Sequence, residues 1–296
     1  MYAEARAHLH TVCDLLRFAV SRFQEADLSF GHGTGNAYDE AAFLILHTLH
    51  LPVDRLEPFL HARLLPAEID SVLNIIQRRV QERLPAPYLT GEAYLRGYPF
   101  KVSPDVLIPR SHIAGMLDED LQQWIEDPAQ VKRALDLCTG SGCLAILLAL
   151  GFPQARVDGI DISRKALAIA QENVARYQLS DRITLIESDL FNQVPAARYD
   201  LIISNPPYVT ARAMAALPAE YRHEPSLALA AGTDGLDIVR RLLAQSRDWL
   251  APNGVLMVEV GGGKAASEAA FPTLPFVWLT ADTGEEEVFV LRAQDL

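Results

Sequence analysis

The chain has 296 residues, half of them apolar, with 26 Lys and Arg against 38 Asp and Glu. That length and composition fit one large or two ordinary globular domains with a full hydrophobic core, and exclude a disordered chain or a disulfide-stapled miniature. A net charge of −12 argues against a protein that grips nucleic acid through its phosphates, and is compatible with attraction of a basic protein partner.

Cys13, Cys138 and Cys143 are odd in number and lack paired Cys-x-x-Cys spacing, so neither a metal site nor a disulfide framework is predicted. The first ten residues carry no apolar leader. The apolar run 144–152 is far below the roughly 20 residues a membrane span needs. A soluble, cytoplasmic protein with reduced thiols and no membrane partner is expected.

In chain order, the first hundred residues read as helices. Val12, Leu15, Leu16, Ala19, Val20 and Phe23 recur at helical spacing, as do Ala42, Ile45, Leu46 and Leu49, and then Ile69, Val72, Leu73, Ile76 and Val80. Arg78, Arg79 and Arg83 close the third run, where cations suit the helix dipole. Phe30-Gly-His-Gly-Thr-Gly-Asn36 has the glycines of a phosphate loop, but no strand precedes it and no Lys-Ser/Thr follows. It is read as a connector. Between 84 and 110, five prolines and two glycines interrupt short runs such as Tyr88-Leu89-Thr90 and Phe100-Lys101-Val102, which predicts a small hairpin between two domains.

The remainder alternates strand and helix. Strands are predicted over Arg133–Leu137, 156–160, Ile183–Glu187, Tyr199–Ser204, 254–260, Val277–Thr280 and 287–292, with helices over 163–177 and 235–250. Such βα units give an α/β, mostly parallel sheet covered on both faces, closed by an antiparallel pair at one edge. Charge divides unevenly: residues 1–115 carry a net −2 and residues 116–296 a net −10.

The first strand of that sheet runs into Cys138-Thr139-Gly140-Ser141-Gly142 and an apolar helix, a turn at which a ligand can approach the backbone closely. Asp161 follows Gly142 by 19 residues at the end of the next strand, where an acidic side chain accepts ribose hydroxyls. Ile162 adjoins it. Asp189 follows the third strand and is placed to border an adenine, with Leu190 and Phe191 as apolar cover. A dinucleotide and S-adenosylmethionine both fit this scheme. The missing third glycine, and Asp136 beside the turn, disfavour a pyrophosphate and favour the sulfonium cofactor.

The fourth strand ends in Asn205-Pro206-Pro207-Tyr208. Prolines lack N–H groups and fix φ, so carbonyls there turn outward as acceptors. With the Asn205 oxygen and the Tyr208 ring they form a cradle for a planar –NH2 group, at the strand ends where open α/β sheets bind ligands. An amide nitrogen is a poor nucleophile because its lone pair is delocalised. Orientation at roughly 3–3.5 Å from the methyl supplies much of the rate. No dedicated base is evident, and the proton is expected to leave to solvent.

These residues resemble those of the class I methyltransferases with an Asn-Pro-Pro-Tyr motif, and the whole chain is similar to the bacterial protein-(glutamine-N5) methyltransferases. The similarity runs through Tyr88-Leu89-Thr90-Gly91-Glu92, Val106-Leu107-Ile108-Pro109-Arg110, residues 136–142, Asn205 to Tyr208, Glu224-Pro225, Leu227-Ala228-Leu229 and Gly232-Thr233-Asp234-Gly235-Leu236. It implies a Rossmann-like, seven-stranded catalytic domain over 113–296, a hairpin linker over 84–112 and a helical substrate-recognition domain over 1–83. It also implies transfer of a methyl from S-adenosylmethionine to a glutamine side-chain nitrogen in a protein. Asn205, Pro206 and Tyr208 would be catalytic. Asn205, Pro206, Pro207, Tyr208 and Arg110 would contact substrate. Asp136, Cys138, Thr139, Gly140, Gly142, Asp161, Ile162, Asp189, Leu190 and Asn205 would hold the cofactor.

Two branches of the family differ after the hairpin. The branch acting on peptide release factors typically has Pro-Arg-Pro-Asp-Thr-Glu there. Pro109-Arg110-Ser111-His112-Ile113-Ala114 looks like the branch acting on large-subunit ribosomal protein L-three (Pro-Arg-Ser-Pro-Ile), as do residues 30–37 and 39–41. His112 replaces that branch's proline, Gly115 its usual Glu, and Cys138 a common glycine. His112 reads as an exposed linker residue and not a base. Methylation of exocyclic amines in DNA or RNA is the competing chemistry, opposed by the lack of a basic track. A non-catalytic ribosome-assembly role is the competing class.

Overall fold

The structure is a computed structural model that describes all residues except 118–120, 122, 126, 282 and 283. By spatial proximity the chain forms two compact units, Met1–Ala93 with Leu217–His223, and Tyr94–Ala216 with Glu224–Leu296.

The first unit is helical: α1 Tyr2–His8, α2 Val12–Glu25, α3 Ala37–Thr48, α4 Pro66–Glu82 and α5 Ala86–Thr90. The apolar stripes read from the sequence meet as its core, where Val12, Leu15, Ala19, Phe23, Leu44, Ile45, Val72 and Ile76 are fully buried. A capping box starts α2: Thr11 accepts from the Asp14 N–H and Asp14 accepts from the Thr11 N–H. Asn36 caps α3 through the Tyr38 and Asp39 N–H groups, so the glycine-rich connector ends as a helix start. Tyr88-Leu89-Thr90, expected to be extended, is helical. Prolines at 85 and 87 suit a first helical turn, and the turn packs Ala86 and Leu89 onto the helical core. Arg79 stands in the last turn of α4 as expected, and is in addition fully buried between Glu40 and Glu220.

The chain then forms the hairpin β1 Glu92–Leu95 and β2 Tyr98–Lys101, followed by α6 Ile113–Met116. The main sheet contains β3 Arg133–Leu137, β4 Arg156–Asp161, β5 Ile183–Glu187, β6 Tyr199–Ser204, β7 Leu250–Glu259, β8 Val277–Thr280 and β9 Glu286–Arg292. Among the described residues it is seven-stranded, in the order β5-β4-β3-β6-β7-β9-β8. Strands β3 to β7 are mutually parallel, and β9 runs antiparallel to both β7 and β8. The two covered faces follow from alternation along each strand: Leu201 and Ile203 enter one core, Ile202 the other. The first core packs α7 Cys143–Gly151 and α8 Arg164–Arg176, the second α10 Asp237–Trp249. The short α9 Ala211–Ala216 lies between β6 and α10 in sequence, and α11 Lys264–Ala270 follows β7.

The chain leaves β3 outward through β4 and β5, then returns to β6 on the other side of β3. That reversal opens a crevice at the carboxyl ends of β3 and β6. Ser204 Oγ clips the two strands together by donating to the Leu137 carbonyl at 2.8 Å. On α8, fully buried Asn173 accepts from the Lys101 N–H at 2.7 Å and donates to the Ser141 carbonyl at 2.9 Å. One side chain thus ties both the hairpin and the glycine turn to the same helix. Among the described residues no helix is long and apolar enough to cross a membrane.

Candidate active site

Register alone brings the site together. Leu137 pairs with Ile160 and Ser204, and Asp161 with Glu187. The next residue of each strand or turn, Cys138, Asp161, Ser188 and Asn205, therefore stands at one level along the sheet's carboxyl edge. All four line a cavity of about 270 Å³, near the lower end, roughly 300 Å³, of small-ligand clefts. Gly140, Ile162, Asp189, Leu190 and Pro207 complete the predicted part of its wall.

The glycine turn is built for backbone approach. Cys138, Gly140 and Gly142 have φ of 64°, 54° and 79°. A Cβ at Gly140 would meet nothing within 4 Å, so the space over that peptide is open. At Gly142 a Cβ would lie 3.1 Å from the Ala170 Cβ, which makes this glycine a packing residue of the α7 start. Asp161 accepts from the Gly140 N–H at 2.9 Å through one oxygen and from the Ser163 N–H at 2.8 Å through the other. Burial pushes its pKa up against those bonds. With about four acceptor sites on its two oxygens, the carboxylate keeps capacity for a further donor.

Seven predicted residues are not on the cavity wall. Asp136 is fully buried behind the turn, where it accepts from Thr139 Oγ1 at 2.6 Å. Thr139 is buried with it, and Gly142 starts the helix. These three shape the turn from behind. Pro206 is buried. Tyr208 turns its hydroxyl to Glu259, and Arg110 is held by Glu224 through two hydrogen bonds of 2.6 and 2.7 Å. Phe191, expected as cofactor cover, stacks on Trp249 at 5.3 Å within the second core. His112 is not a free surface residue: it is partly buried, with Nε2 2.7 Å from Glu287.

Burial raises the Asp136 pKa to about 7, the Thr139 bond opposing it. A folded pKa above the unfolded value means that this carboxyl's stabilisation is complete below about 4 and is lost as pH rises through 7. Asp136→Asn, which keeps the Thr139 acceptor, should therefore stabilise the protein at pH 8 by on the order of 1–4 kcal/mol and give no gain near pH 4. Denaturant midpoints across that range provide the check, and parallel pH profiles for the two proteins would contradict it.

The wall also holds residues that motif reasoning did not single out: Asp105, Val106, Leu107, Ser163, Ala166, Pro225, Leu227, Ala228, Ile238 and Arg241. Arg241 pairs with Asp189 at 2.7 Å across the mouth. Leu227 and Ile162 expose 57% and 51% of their surface and give the cavity an apolar border. Val106-Leu107 and Pro225 to Ala228 fall in runs already quoted for the family resemblance, which could have marked them. Arg241 lies on an ordinary amphipathic helix with no motif to flag it.

The Methyltransferase small domain family matches residues 117–220. A ribosomal protein uL3 glutamine methyltransferase of Bordetella pertussis is 55% identical over 291 residues, 98% of this chain and 98% of the relative. One from Neisseria meningitidis serogroup A is 52% identical over 296 residues, all of this chain and 97% of the relative. The chain belongs to the ribosomal protein uL3 glutamine methyltransferase family.

This methyltransferase shares its fold with the catalytic domain of hMettl16 solved with a MAT2A 3′UTR hairpin, at a TM-score of 0.52 and 16% identity over 76% of this chain and 80% of that one. The fold is the Rossmann-like class I methyltransferase sheet, as the resemblance implied. At that identity the likeness concerns architecture alone.

Proposed function

We propose that this methyltransferase transfers a methyl group from S-adenosylmethionine to the side-chain nitrogen of a glutamine in ribosomal protein uL3, in the cytoplasm, with the helical unit selecting the protein substrate. The observation that carries the reading is the wall shared by Asn205 and Pro207 with Gly140, Cys138 and Asp161. It joins an amide cradle to a nucleoside-type pocket in a family whose named relatives are uL3 glutamine methyltransferases.

The residues present suit the cofactor. The open peptide at Gly140 admits an amino-acid moiety, Asp161 has lone pairs for ribose hydroxyls, and Ile162, Leu190 and Leu227 provide apolar cover for a base. When bound, S-adenosylmethionine supplies an electrophilic methyl on its sulfonium. Asn205 orients the substrate amide with its side-chain oxygen, and Pro206 and Pro207 leave carbonyls free of competing N–H groups. Tyr208 supplies a flat face to the amide. The amide proton leaves to water during or after transfer. Arg110, held by Glu224, shapes the edge of the substrate groove.

Asp161→Ala should weaken S-adenosylmethionine binding about 10- to 100-fold, the loss of charge-assisted hydrogen bonds, with turnover at saturating cofactor nearly kept. Calorimetric titration measures it; an unchanged dissociation constant refutes the ribose role. The identity of the substrate is tested by incubating the protein with labelled S-adenosylmethionine and, separately, ribosomal protein uL3 and a peptide release factor, followed by peptide mass spectrometry. Methyl on a glutamine of uL3 alone supports the proposal. Methyl on the release factor alone keeps the chemistry and overturns the substrate, and labelling of neither overturns both.

A further inference from the structure

We propose that Glu259 is a positioning residue for Tyr208, set in place by Ser111 and the His112 backbone. Glu259 ends β7, beside β6, and is 1% exposed, outside the cavity wall. Burying a carboxylate is unfavourable unless donors converge on it. Here three do. One oxygen accepts from the Tyr208 hydroxyl at 3.2 Å; the other accepts from Ser111 Oγ at 2.6 Å and from the His112 N–H at 2.9 Å.

Two glycines approach Tyr208 closely. Gly261 lies against one side, where a Cβ would come within 2.8 Å of the Tyr208 Cε2. Gly235 crosses its backbone, where a Cβ would come within 2.4 Å of the Tyr208 carbonyl oxygen. Two positions without Cβ thus let the segment seat closely, and the hydroxyl bond to Glu259 sets the ring's tilt. Ser111 is in turn fixed at the start of α6, its Oγ accepting from the Ile113 N–H at 3.2 Å. The Ser111 position, where the two branches of the family differ, therefore acts on the cradle through Glu259 and not by touching substrate.

The inference rests on Tyr208 facing the substrate amide. Its test is a double-mutant cycle on the full chain, read as single-turnover methyl transfer from labelled S-adenosylmethionine to purified uL3, with cofactor affinity measured by calorimetry. Glu259→Leu should slow transfer about tenfold with cofactor affinity within about twofold. Glu259→Gln retains an acceptor for Ser111 and His112 and an amide for the Tyr208 oxygen, and should remain within about threefold of the parent. Tyr208→Phe should cost about as much as Glu259→Leu, and the double variant no more than the worse single one. Multiplying effects, or a loss confined to cofactor affinity, would overturn the inference. Should Glu259→Leu not fold, Ser111→Ala replaces it in the same cycle, with the same requirement that its effect vanish in the Tyr208→Phe background. If Tyr208→Ala leaves transfer unchanged, the placement of Tyr208 at the reacting centre fails, a result distinct from additivity with Glu259.

Discussion

Replacing Asn205 with alanine should lower single-turnover methyl transfer about 10³-fold while S-adenosylmethionine affinity stays within about twofold. Asn205 follows the end of β6, one residue past the Ser204 clip to β3, on the wall shared with Cys138 and Asp161. Among the described residues its carboxamide has no hydrogen-bond partner, so the acceptor is available to a ligand. Truncation removes that acceptor, and the amide nitrogen then samples orientations in which its lone pair misses the methyl. The cofactor's ribose and base contacts lie elsewhere on the wall, which is why its affinity should hold. A calorimetric titration beside a quenched single-turnover assay separates the two. Equal loss in both would make Asn205 a cofactor ligand, and turnover within about tenfold of the parent would remove it from the reacting centre.

Arg79→Met should destabilise the helical unit by about 3–5 kcal/mol, the typical cost of leaving buried carboxylates without their counter-charge. Arg79 Nε donates to Glu40 at 2.7 Å, another of its nitrogens lies 3.6 Å from Glu220, and its third donates to the Ser29 carbonyl at 3.0 Å. Removal leaves Glu220 with Arg83 at 2.9 Å and the Ser29 N–H at 3.2 Å, and Glu40 with Thr34 at 3.2 Å. Burial already raises the Glu40 pKa, opposed by Arg79. Without Arg79 it rises further, so the deficit should shrink as pH falls and Glu40 takes up a proton. The double variant Arg79→Met/Glu40→Leu should recover most of the loss, since replacing a buried pair by apolar residues is often close to neutral. Denaturant unfolding of the full chain measures all three. A single variant within 1 kcal/mol of the parent, or a double variant worse than the single, would show that the pair is not the source.

The catalytic half was legible from pattern. Short, strongly apolar strands separated by periodic helices can be satisfied only by a sheet covered on both sides, and β3, β5, β6 and β8 have the predicted bounds. Asp161, Asp189 and Asn205 could be expected on the cavity wall because βα crossovers bring the ends of the parallel strands to a common edge. The failures share a cause. Tyr88-Leu89-Thr90 looked extended by composition, but the turn instead buries Ala86 and packs Leu89 onto the helical core. Phe191 follows a site strand as Leu190 does, yet only packing with Trp249 decides which of two adjacent side chains faces in.

The sequence by itself determined the sheet and the carboxyl-edge location of the candidate site, because these follow from periodicity and motifs carried within a few contiguous residues, while the glutamine-methylating chemistry came from the family resemblance of those motifs. Only the tertiary structure decided which motif residues reach the cavity and which support it. Asp136 and Thr139 lie behind the turn, Arg241 joins Asp189 at the mouth, and Glu259 meets Ser111 and Tyr208 from 148 and 51 residues away. Side-chain direction in a packed core depends on neighbours brought together from distant parts of the chain, and that information is absent from any local run of residues.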